Sequence, residues 1–280
     1  MMKTFINRQK EGQILLQRAR GCVEVSFVGV RGETTLSNLY QSGSLKALIP
    51  KSFRSAKEAI LINTGGGIVG GDQLSISISG GNSTETWITS QASEKVYKSV
   101  GDMSRVEIDL TLGDNASSYW CPQEMILFDK SKLCRRMNFN VENSSNLLIV
   151  ENVIFGRITS GEFSANCYFS DQWRIKRDQK LVLAENFLVT GSESLYGKAN
   201  LGNNKCVCTI IYVSLEAEGY LKQMREIMSE RKLTGGASSW NNCLLGRVVA
   251  EDPSTIKHFT KLLLELFSNH KGFIPRVWSM

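Results

Sequence analysis

Alternation of apolar and polar residues, the period of a half-buried β-strand, dominates the first 215 residues of the chain. The alternating or apolar runs are bounded by clusters of Gly, Ser, Asn and Asp, which are typical of turns. Toward the two ends of this region, strands are predicted at 23–30, 34–40, 45–49, 165–169, 173–177, 180–184 and 207–215.

One compound unit occurs three times in the middle of the chain. Each copy has an alternating strand, a turn and a second strand, with the turns at 80–82, 113–115 and 142–146. The first strands are 74–79, 106–112 and 137–141, and the second strands are 86–91, 118–124 and 147–152. Corresponding turns lie about 30 residues apart, within the range of solenoid repeats. Because each unit is amphipathic and needs a neighbour to cover its apolar face, the pattern predicts an elongated β-solenoid. A β-sandwich with evenly spaced hairpins would give a similar pattern and stays an alternative.

Helical periodicity replaces alternation in the C-terminal third. Apolar residues recur at helical spacing within 216–233, and a strand is predicted at 243–249, after a break at Thr234-Gly235-Gly236. A second helix is predicted from Pro253 to Asn269, with Asp252 as its N-cap. We expect its apolar face to cover the β core; docking of a partner helix is the alternative. The expected organisation is a single domain over 1–280, β-rich in 1–215 and helix-containing in 216–280.

Five glycines in seven positions follow the strand-like run that ends at Asn63. The segment Gly65-Gly66-Gly67-Ile68-Val69-Gly70 satisfies G-x-G-x-x-G, with Glu85 about 20 residues beyond Gly65. That fingerprint requires a helix after the glycines, but 74–79 alternates as a strand. We therefore predict a tight strand-to-strand crossing in which backbone packs against backbone. A nucleotide-cofactor-dependent enzyme that uses Gly65–Gly70 is the alternative.

Composition and charge favour a globular protein. Its 280 residues are 42% hydrophobic, with a net charge of +6. The basic clusters are short (Arg174 to Arg177 with Lys180, and Lys132 with Arg135 and Arg136), so no nucleic-acid partner is predicted. A solvated face is expected there, and an acidic protein partner is the alternative. The N-terminus lacks the hydrophobic region of a signal peptide, and no apolar run reaches membrane-spanning length, so a cytoplasmic protein with no membrane partner is expected.

Few residues in the chain suggest catalysis or a stable metal site. The only two histidines are His258 and His270, and no common catalytic motif is present. The seven cysteines form no C-x-x-C pair; Cys206 and Cys208 could offer a soft metal site, but buried small hydrophobic residues are the favoured interpretation. We therefore predict a binding or scaffold protein, with no catalytic residues, no tightly bound cofactor and no committed metal site. A carbohydrate-binding β domain is a third hypothesis, suggested by the tryptophans alone.

Four blocks of sequence, in order, resemble the UreD/UreH family of urease accessory proteins. The first, Asn63-Thr64-Gly65-Gly66-Gly67-Ile68-Val69-Gly70-Gly71-Asp72, is similar to the family's Asn-Pro-Gly-Gly-Gly-hydrophobic-hydrophobic-Gly-Gly-Asp, with Thr64 in place of proline. The second is Thr89-Ser90-Gln91-Ala92-Ser93-Glu94-Lys95-Val96-Tyr97, and the third is Trp120-Cys121-Pro122-Gln123-Glu124-Met125-Ile126-Leu127-Phe128. Glu151, Gly156-Arg157 and Gly161-Glu162 match the segment that follows, and Pro275-Arg276-Val277-Trp278 resembles the family's terminal Pro-Arg-x-Trp.

The resemblance implies a mainly β, right-handed β-helix-like solenoid with two helices in its C-terminal third. It implies a non-enzymatic scaffold, or chaperone, that binds urease apoprotein and recruits two further accessory proteins, one of them a GTPase, for insertion of the nickel metallocentre. Nickel is expected to be handled transiently. The matched motif residues expected to carry structure or function are Gly65, Gly66, Gly67, Gly70, Gly71, Asp72, Gln91, Lys95, Tyr97, Pro122, Gln123 and Glu124.

Carboxylates are the plentiful groups that could offer nickel weak oxygen ligands along a path. The candidates in or beside the matched blocks are Asp72, Glu94, Glu124, Glu151 and Glu162. For any one of them, capping a turn or pairing with a neighbouring basic residue is the simpler explanation.

Overall fold

A computed structural model describes residues 17–51, 55–161, 166–195, 197, 200–268 and 274–278. Within these residues the chain forms mainly β-strands, with two α-helices near its C-terminal end. In chain order the strands are β1 (Arg20–Val30), β2 (Glu33–Gly43), β3 (Leu45–Leu48), β4 (Lys57–Asn63), β5 (Gln73–Gly80), β6 (Glu85–Ser90), β7 (Glu94–Val96), β8 (Ser104–Leu112), β9 (Ser117–Trp120), β10 (Met125–Leu127), β11 (Lys132–Val141), β12 (Asn146–Phe155), β13 (Tyr168–Arg177), β14 (Lys180–Thr190), β15 (Cys206–Val213), β16 (Thr234–Trp240) and β17 (Cys243–Ala250). The helices are α1 (Leu221–Glu230) and α2 (Pro253–Phe267).

The strands form two sheets that face each other. The seven-stranded sheet has the order β14-β13-β11-β8-β5-β1-β2. The ten-stranded sheet has the order β16-β17-β15-β12-β9-β6-β4-β3; in addition, the short β10 pairs with β12, and the short β7 pairs with β10. The chain places β5, β8 and β11 in the first sheet and β6, β9 and β12 in the second, one pair for each repeat. Equivalent strands of successive repeats pair in parallel, so the prediction of a β-solenoid, of about four turns, is confirmed.

Two hydrophobic cores follow from this arrangement. The larger one lies between the sheets and is filled by the inward residues of each alternating strand, such as Phe139 and Ile149. The smaller one lies between the ten-stranded sheet and the two helices, and it contains Cys206 and Cys208 as buried apolar residues. Ile256, Phe259 and Leu263 of α2 are all buried there, which confirms that this helix covers the core. Its N-cap is also as predicted, because the Asp252 side chain accepts a hydrogen bond from the backbone N–H of Ser254.

Three element predictions were wrong in informative ways. The separate strands predicted at 165–169 and 173–177 are one strand, β13; Ala165 lies outside the described residues. Ser170 and Asp171, which lie between the two predicted strands, are both buried within β13. Of the predicted strand 118–124, only 118–120 lie in a strand, β9; residues 121–124 form the gap before β10. Thr234-Gly235-Gly236, predicted as a break, begins the edge strand β16, where a Cβ at Gly235 would come within 2.4 Å of the Arg247 carbonyl oxygen on β17.

The C-terminal helices begin and end close to the predicted positions. A short 3₁₀ turn over Ala217–Tyr220 precedes α1, so the regular helix starts later than the predicted 216. Helix α2 ends at Phe267, and Asn269 and His270 lie outside the described residues. No helix in the described part of the chain is long and apolar enough to cross a membrane.

Candidate functional site

The ten-stranded sheet is interrupted at the same level in successive turns of the solenoid. Residues 91–93 separate β6 from β7, and residues 121–124 separate β9 from β10, whereas β12 runs through without a break. The glycine segment that follows β4 lies at the same level, because Ile68 bridges to Val96 in parallel. Since β7 pairs with β10 and β10 with β12, the first three matched blocks and the start of the fourth lie side by side.

Asn63 organises the start of the glycine segment. Its side-chain oxygen accepts a hydrogen bond from the backbone N–H of Gly65 at 3.0 Å, and its side-chain nitrogen donates to the Gly67 carbonyl at 3.2 Å. The same nitrogen donates to both carboxylate oxygens of Glu94, at 3.2 and 3.3 Å. Asn63 therefore fixes the loop and orients the carboxylate of the neighbouring turn.

The glycines permit a backbone path that side chains would block. Gly67 has φ +147°, and a Cβ there would lie 2.3 Å from the Tyr97 ring and 2.7 Å from the Lys95 carbonyl oxygen. A Cβ at Gly70 would lie 2.1 Å from Ser99 Oγ and 2.5 Å from the Asp102 carbonyl oxygen. The strand β5 follows the glycines, as predicted, so they do not open a helix that could face a pyrophosphate.

Asp72 closes the glycine segment as a turn cap. It is 2% exposed, and its two carboxylate oxygens accept hydrogen bonds from the backbone N–H groups of Ala19 and Val69 at 2.8 and 2.9 Å. Both oxygens are thus used within the fold, the arrangement expected of a structural carboxylate.

A cavity of about 490 Å³ opens where the interruptions meet and extends between the two sheets. Its walls are mostly apolar; the seven-stranded sheet contributes Leu74, Ile76, Val106 and Ile108. Gln91, Ala92 and Lys95 lie at its exposed end, and Arg135 and Glu151 lie at its buried end. An apolar cavity with a few convergent polar groups is the usual form of a binding site.

Glu94 is the acidic group nearest the exposed end. Burial raises its pKa to about 7; hydrogen bonds from Asn63 and from the backbone of Lys95 oppose the shift, and the charge of Asp72 adds to it. The carboxyl group therefore exchanges its proton near neutral pH, unlike an ordinary surface glutamate.

Gln123 places a second side-chain amide, in addition to that of Asn63, on the cavity wall. Its residue is 8% exposed, and its Nε2 atom has no hydrogen-bond partner within the described residues. The two ends of a side-chain amide are nearly indistinguishable by shape, so a rotation of the amide would present its oxygen instead.

The buried end of the cavity is formed by an ionic cluster that joins the sheets. Arg135 on β11 donates to Glu151 on β12 at 2.8 Å, and to both oxygens of Asp171 on β13 at 2.8 and 2.6 Å. All three side chains are at most 4% exposed. The indole N–H of Trp120 donates to the other oxygen of Glu151 at 2.6 Å. One cation thus holds two carboxylates in the main core.

Burial and ion pairing shift the pKa values of this cluster in opposite directions. Burial raises the pKa of Glu151, and the Arg135 charge and the Trp120 hydrogen bond oppose the shift. Burial alone would lower the pKa of Arg135, but the charges of Asp171 and Glu151 keep it above its ordinary value. Arg135 was grouped by sequence with a solvated basic face, and that interpretation is wrong. Arg177, from the other basic cluster, is likewise only 6% exposed.

The remaining matched residues line the cavity or form hydrogen bonds close to it. Pro122 lines the cavity, and Tyr97 donates from its hydroxyl to the Gly66 carbonyl at 3.1 Å. Glu124 is 7% exposed and accepts a hydrogen bond from Ser93 Oγ at 2.9 Å, without lining the cavity itself. The indole N–H of Trp278, in the terminal block, donates to the Cys121 carbonyl at 2.9 Å.

Of the five candidate carboxylates, only Glu94 and Glu151 line the cavity, and Glu162 lies outside the described residues. In the described part of the chain, no group of three or more His, Cys, Asp and Glu side chains could hold a metal ion. Burial raises the pKa of the Cys206 and Cys208 thiols to about 12, and His258 is exposed on α2. The sequence offered no signal for Asp171, because its role depends on pairing between β11 and β13.

Comparison with known proteins agrees with the resemblance noted in the sequence. The family model described as UreD urease accessory protein matches residues 19–279. A urease accessory protein UreD of Mesorhizobium japonicum is 35% identical over 95% of this chain and 96% of its own length. Proteins of the same name from Rhizobium leguminosarum bv. trifolii and Xanthobacter autotrophicus are 35% and 32% identical, over 94% and 95% of this chain and 96% and 91% of their own lengths.

Proposed function

The chain belongs to the UreD family of urease accessory proteins, and from this premise we propose that it is a non-catalytic scaffold for nickel insertion into urease. Membership gives the chain a role in urease maturation. The finer proposal is that it binds urease apoprotein in the cytoplasm and recruits two further accessory proteins, one of them a GTPase. Nickel is the cargo, and it passes through the cavity between the sheets without a resident site.

The observation that carries the proposal is the convergence of the matched blocks on one cavity. Asn63, Glu94, Gln123 and Glu151 come from four different segments of the chain, yet all line the same 490 Å³ space. The solenoid explains this convergence, because positions about 30 residues apart fall at the same level of successive turns. A nickel path that runs past all four segments explains why several separate blocks match the family. A role confined to one segment would explain only one of these matches.

The chemistry of the cavity suits a cation that must be released. Its polar groups include the carboxylates of Glu94 and Glu151, the amides of Asn63 and Gln123 and the basic groups of Lys95 and Arg135, with no histidine or cysteine among the described residues that line it. Divalent nickel binds imidazole and thiolate more tightly than isolated oxygen ligands. The cavity can therefore attract the ion without retaining it.

Glu94 is well placed to serve as the entry group. Near neutral pH its carboxyl group is partly protonated, so an arriving cation displaces a proton and a departing cation is replaced by one. Asn63 keeps the carboxylate oriented in both situations through its two hydrogen bonds.

The ionic cluster gives the buried end of the cavity a negative balance. The guanidinium of Arg135 is shared between Glu151 and Asp171, so with both carboxylates ionised the cluster carries one net negative charge. A cation reaching this end would approach Glu151 without meeting an uncompensated positive charge. Arg135 therefore acts as a positioning residue for Glu151.

Copurification tests the scaffold function. We expect a tagged chain, co-expressed with the urease subunits and two further accessory proteins that include the GTPase, to be recovered in a complex with them. We also expect no stoichiometric dinucleotide in the purified chain, because β5 follows the glycine segment. Recovery of the chain without urease or accessory proteins would contradict the proposal. Stoichiometric NAD or FAD, found by absorbance and mass spectrometry, would favour the enzyme alternative.

A further inference from the structure

The outer face of the seven-stranded sheet carries a polar array. The helices α1 and α2 pack on the ten-stranded sheet, and the outward residues of β8 and β11 stay exposed or half-buried between buried neighbours. Parallel sheets are usually covered on both faces, and no described helix packs on this face, which consists mainly of parallel strands. It is therefore a candidate interaction surface.

The strand registers place most of the acidic side chains of this face on one half and a run of basic side chains on the other. The acidic half contains Glu24 on β1, with Glu107 and Asp109 on β8, and these lie beside two exposed arginines, Arg20 on β1 and Arg105 on β8. The basic half contains Arg136 on β11, Arg174 and Lys176 on β13, and Lys180 at the start of β14. Arg136 is aligned with Glu107, and Asp109 is separated from Arg174 by Asn138. Asp178, in the turn between β13 and β14, and Glu142, which contacts it, add negative charge at the end of the basic half that contains Lys176 and Lys180.

Exposed apolar side chains lie next to the basic half. Leu181 and Leu188 on β14 are 55% and 58% exposed, and Tyr168 on β13 is 36% exposed. Leu181 is the register partner of Lys176, so the leucine and the lysine are direct neighbours. The strand β14 is also the edge of its sheet, and an exposed edge with apolar residues is a typical place for protein contact.

Arg174 is held in place before any partner arrives. Its guanidinium donates to the carbonyl oxygens of Trp173 and Glu185 at 2.8 and 3.2 Å, and to Asn186 Oδ1 at 3.1 Å. An arginine that is already ordered loses less side-chain entropy when it contacts a partner.

We propose that the basic edge, formed by Arg136, Arg174, Lys176, Lys180, Leu181 and Leu188, docks an acidic protein surface that also presents apolar side chains. The inference rests on the proposed function, because it takes the partner to be one of the proteins of the urease complex. Neighbouring Glu107, Asp109 and Asp178 would repel a run of phosphates, so a protein with mixed charges fits better than a nucleic acid or an anionic membrane.

A charge-reversal pair tests the basic edge. The variant K176E/K180E changes two lysines that are exposed at the β13–β14 hairpin. The matched control K222E/K232E makes the same change at two exposed lysines, one in α1 and one just after it, on the helix side of the molecule. Each tagged variant is co-expressed with the urease subunits and the two accessory proteins, and recovery of every partner is measured at low and moderate salt.

We expect K176E/K180E to lower the recovery of one partner by about tenfold or more at low salt, while the control matches the parent. Salt screens the attraction between opposite charges. We therefore expect moderate salt to lower the amount of that partner recovered with the parent more than the amount recovered with K176E/K180E. Equal recovery of every partner by the parent and K176E/K180E would overturn the inference but leave the scaffold function standing. Failure of the parent to recover any partner would overturn both.

A membrane occupant gives a different outcome in the same series. If the parent sediments with vesicles that contain phosphatidylserine, K176E/K180E does not, and partner recovery is unchanged, then the basic edge binds a lipid surface and the inference is wrong.

Discussion

Replacing Arg135 with methionine is expected to lower the free energy of unfolding by about 3–5 kcal/mol, the range for breaking a buried ion pair by removing one partner. The substitution would leave Glu151 and Asp171 in the main core without their shared cation. It would also remove the packing of the guanidinium near the Phe169 and Trp173 rings, each 5.9 Å from it. Urea unfolding of the purified variant measures the loss.

Arg136 provides the matched control, because it is the next residue on β11 and faces solvent. Arg136→Met should change the free energy of unfolding by no more than about 0.5 kcal/mol, as is usual for a surface substitution. Adding Glu151→Gln and Asp171→Asn to Arg135→Met should recover part of the lost stability, since no uncompensated charge then remains buried. If Arg135→Met is as stable as Arg136→Met, the ionic cluster does not hold the two sheets together.

Valine at Gly67 or Gly70 is the second substitution with a large expected effect. We expect each change to lower the free energy of unfolding by about 2–3 kcal/mol, because the added atoms overpack a closed site. At Gly70 the obstacle includes the Asp102 carbonyl oxygen, 2.5 Å from the position of a Cβ. At Gly67 the φ of +147° adds backbone strain to the overlap with Tyr97. Thermal and urea unfolding of both variants give the measurement.

Gly101 is the control for the glycine substitutions. A Cβ there would meet no atom within 4 Å, and its φ lies outside the left-handed region. Gly101→Val should therefore unfold like the parent. Equal stability of the Gly67, Gly70 and Gly101 variants would mean that the glycine crossing is not closely packed.

The sequence was sufficient to predict the solenoid because each repeat carries its own pattern. Alternation in 74–79, 106–112 and 137–141 marks which residues face inward, and the turns that follow set a regular spacing. Parallel stacking of equivalent strands is then the arrangement that buries all three apolar faces. Phe139 and Ile108 are both in the core between the sheets, as this pattern requires.

Buried polar residues were the main cause of error. Asp171 lies between the two strands predicted at 165–169 and 173–177, but it is buried within one strand because Arg135 pairs with it from β11. Arg135 itself looked like part of a surface cluster with Lys132 and Arg136. A pairing between residues 36 positions apart leaves no local signal, so only the strand register could reveal it.

The sequence was sufficient to predict which motifs form the candidate site, but not what each residue does there. Proximity to the matched blocks placed Asp72, Glu94 and Glu151 in one group of carboxylates. In the fold, Asp72 caps the glycine segment with both oxygens, whereas Glu94 and Glu151 lie at opposite ends of the cavity. Which carboxylate faces the cavity depends on side-chain direction at the interruptions, where the strand period no longer applies.

The most direct test of nickel passage through the cavity is the nickel content of urease matured with Glu94→Gln, measured by mass spectrometry of the purified enzyme. Glu107→Gln is the control, because Glu107 lies on β8 between the cavity-lining residues Val106 and Ile108 but faces outward. We expect both variants to be recovered in the urease complex in parental amounts. We also expect Glu94→Gln alone to lower nickel per active site several-fold, because it removes the carboxylate at the exposed end of the cavity. Full nickel content with Glu94→Gln in an intact complex would contradict passage of nickel by way of Glu94, whereas loss of the complex would assign Glu94 to folding or docking.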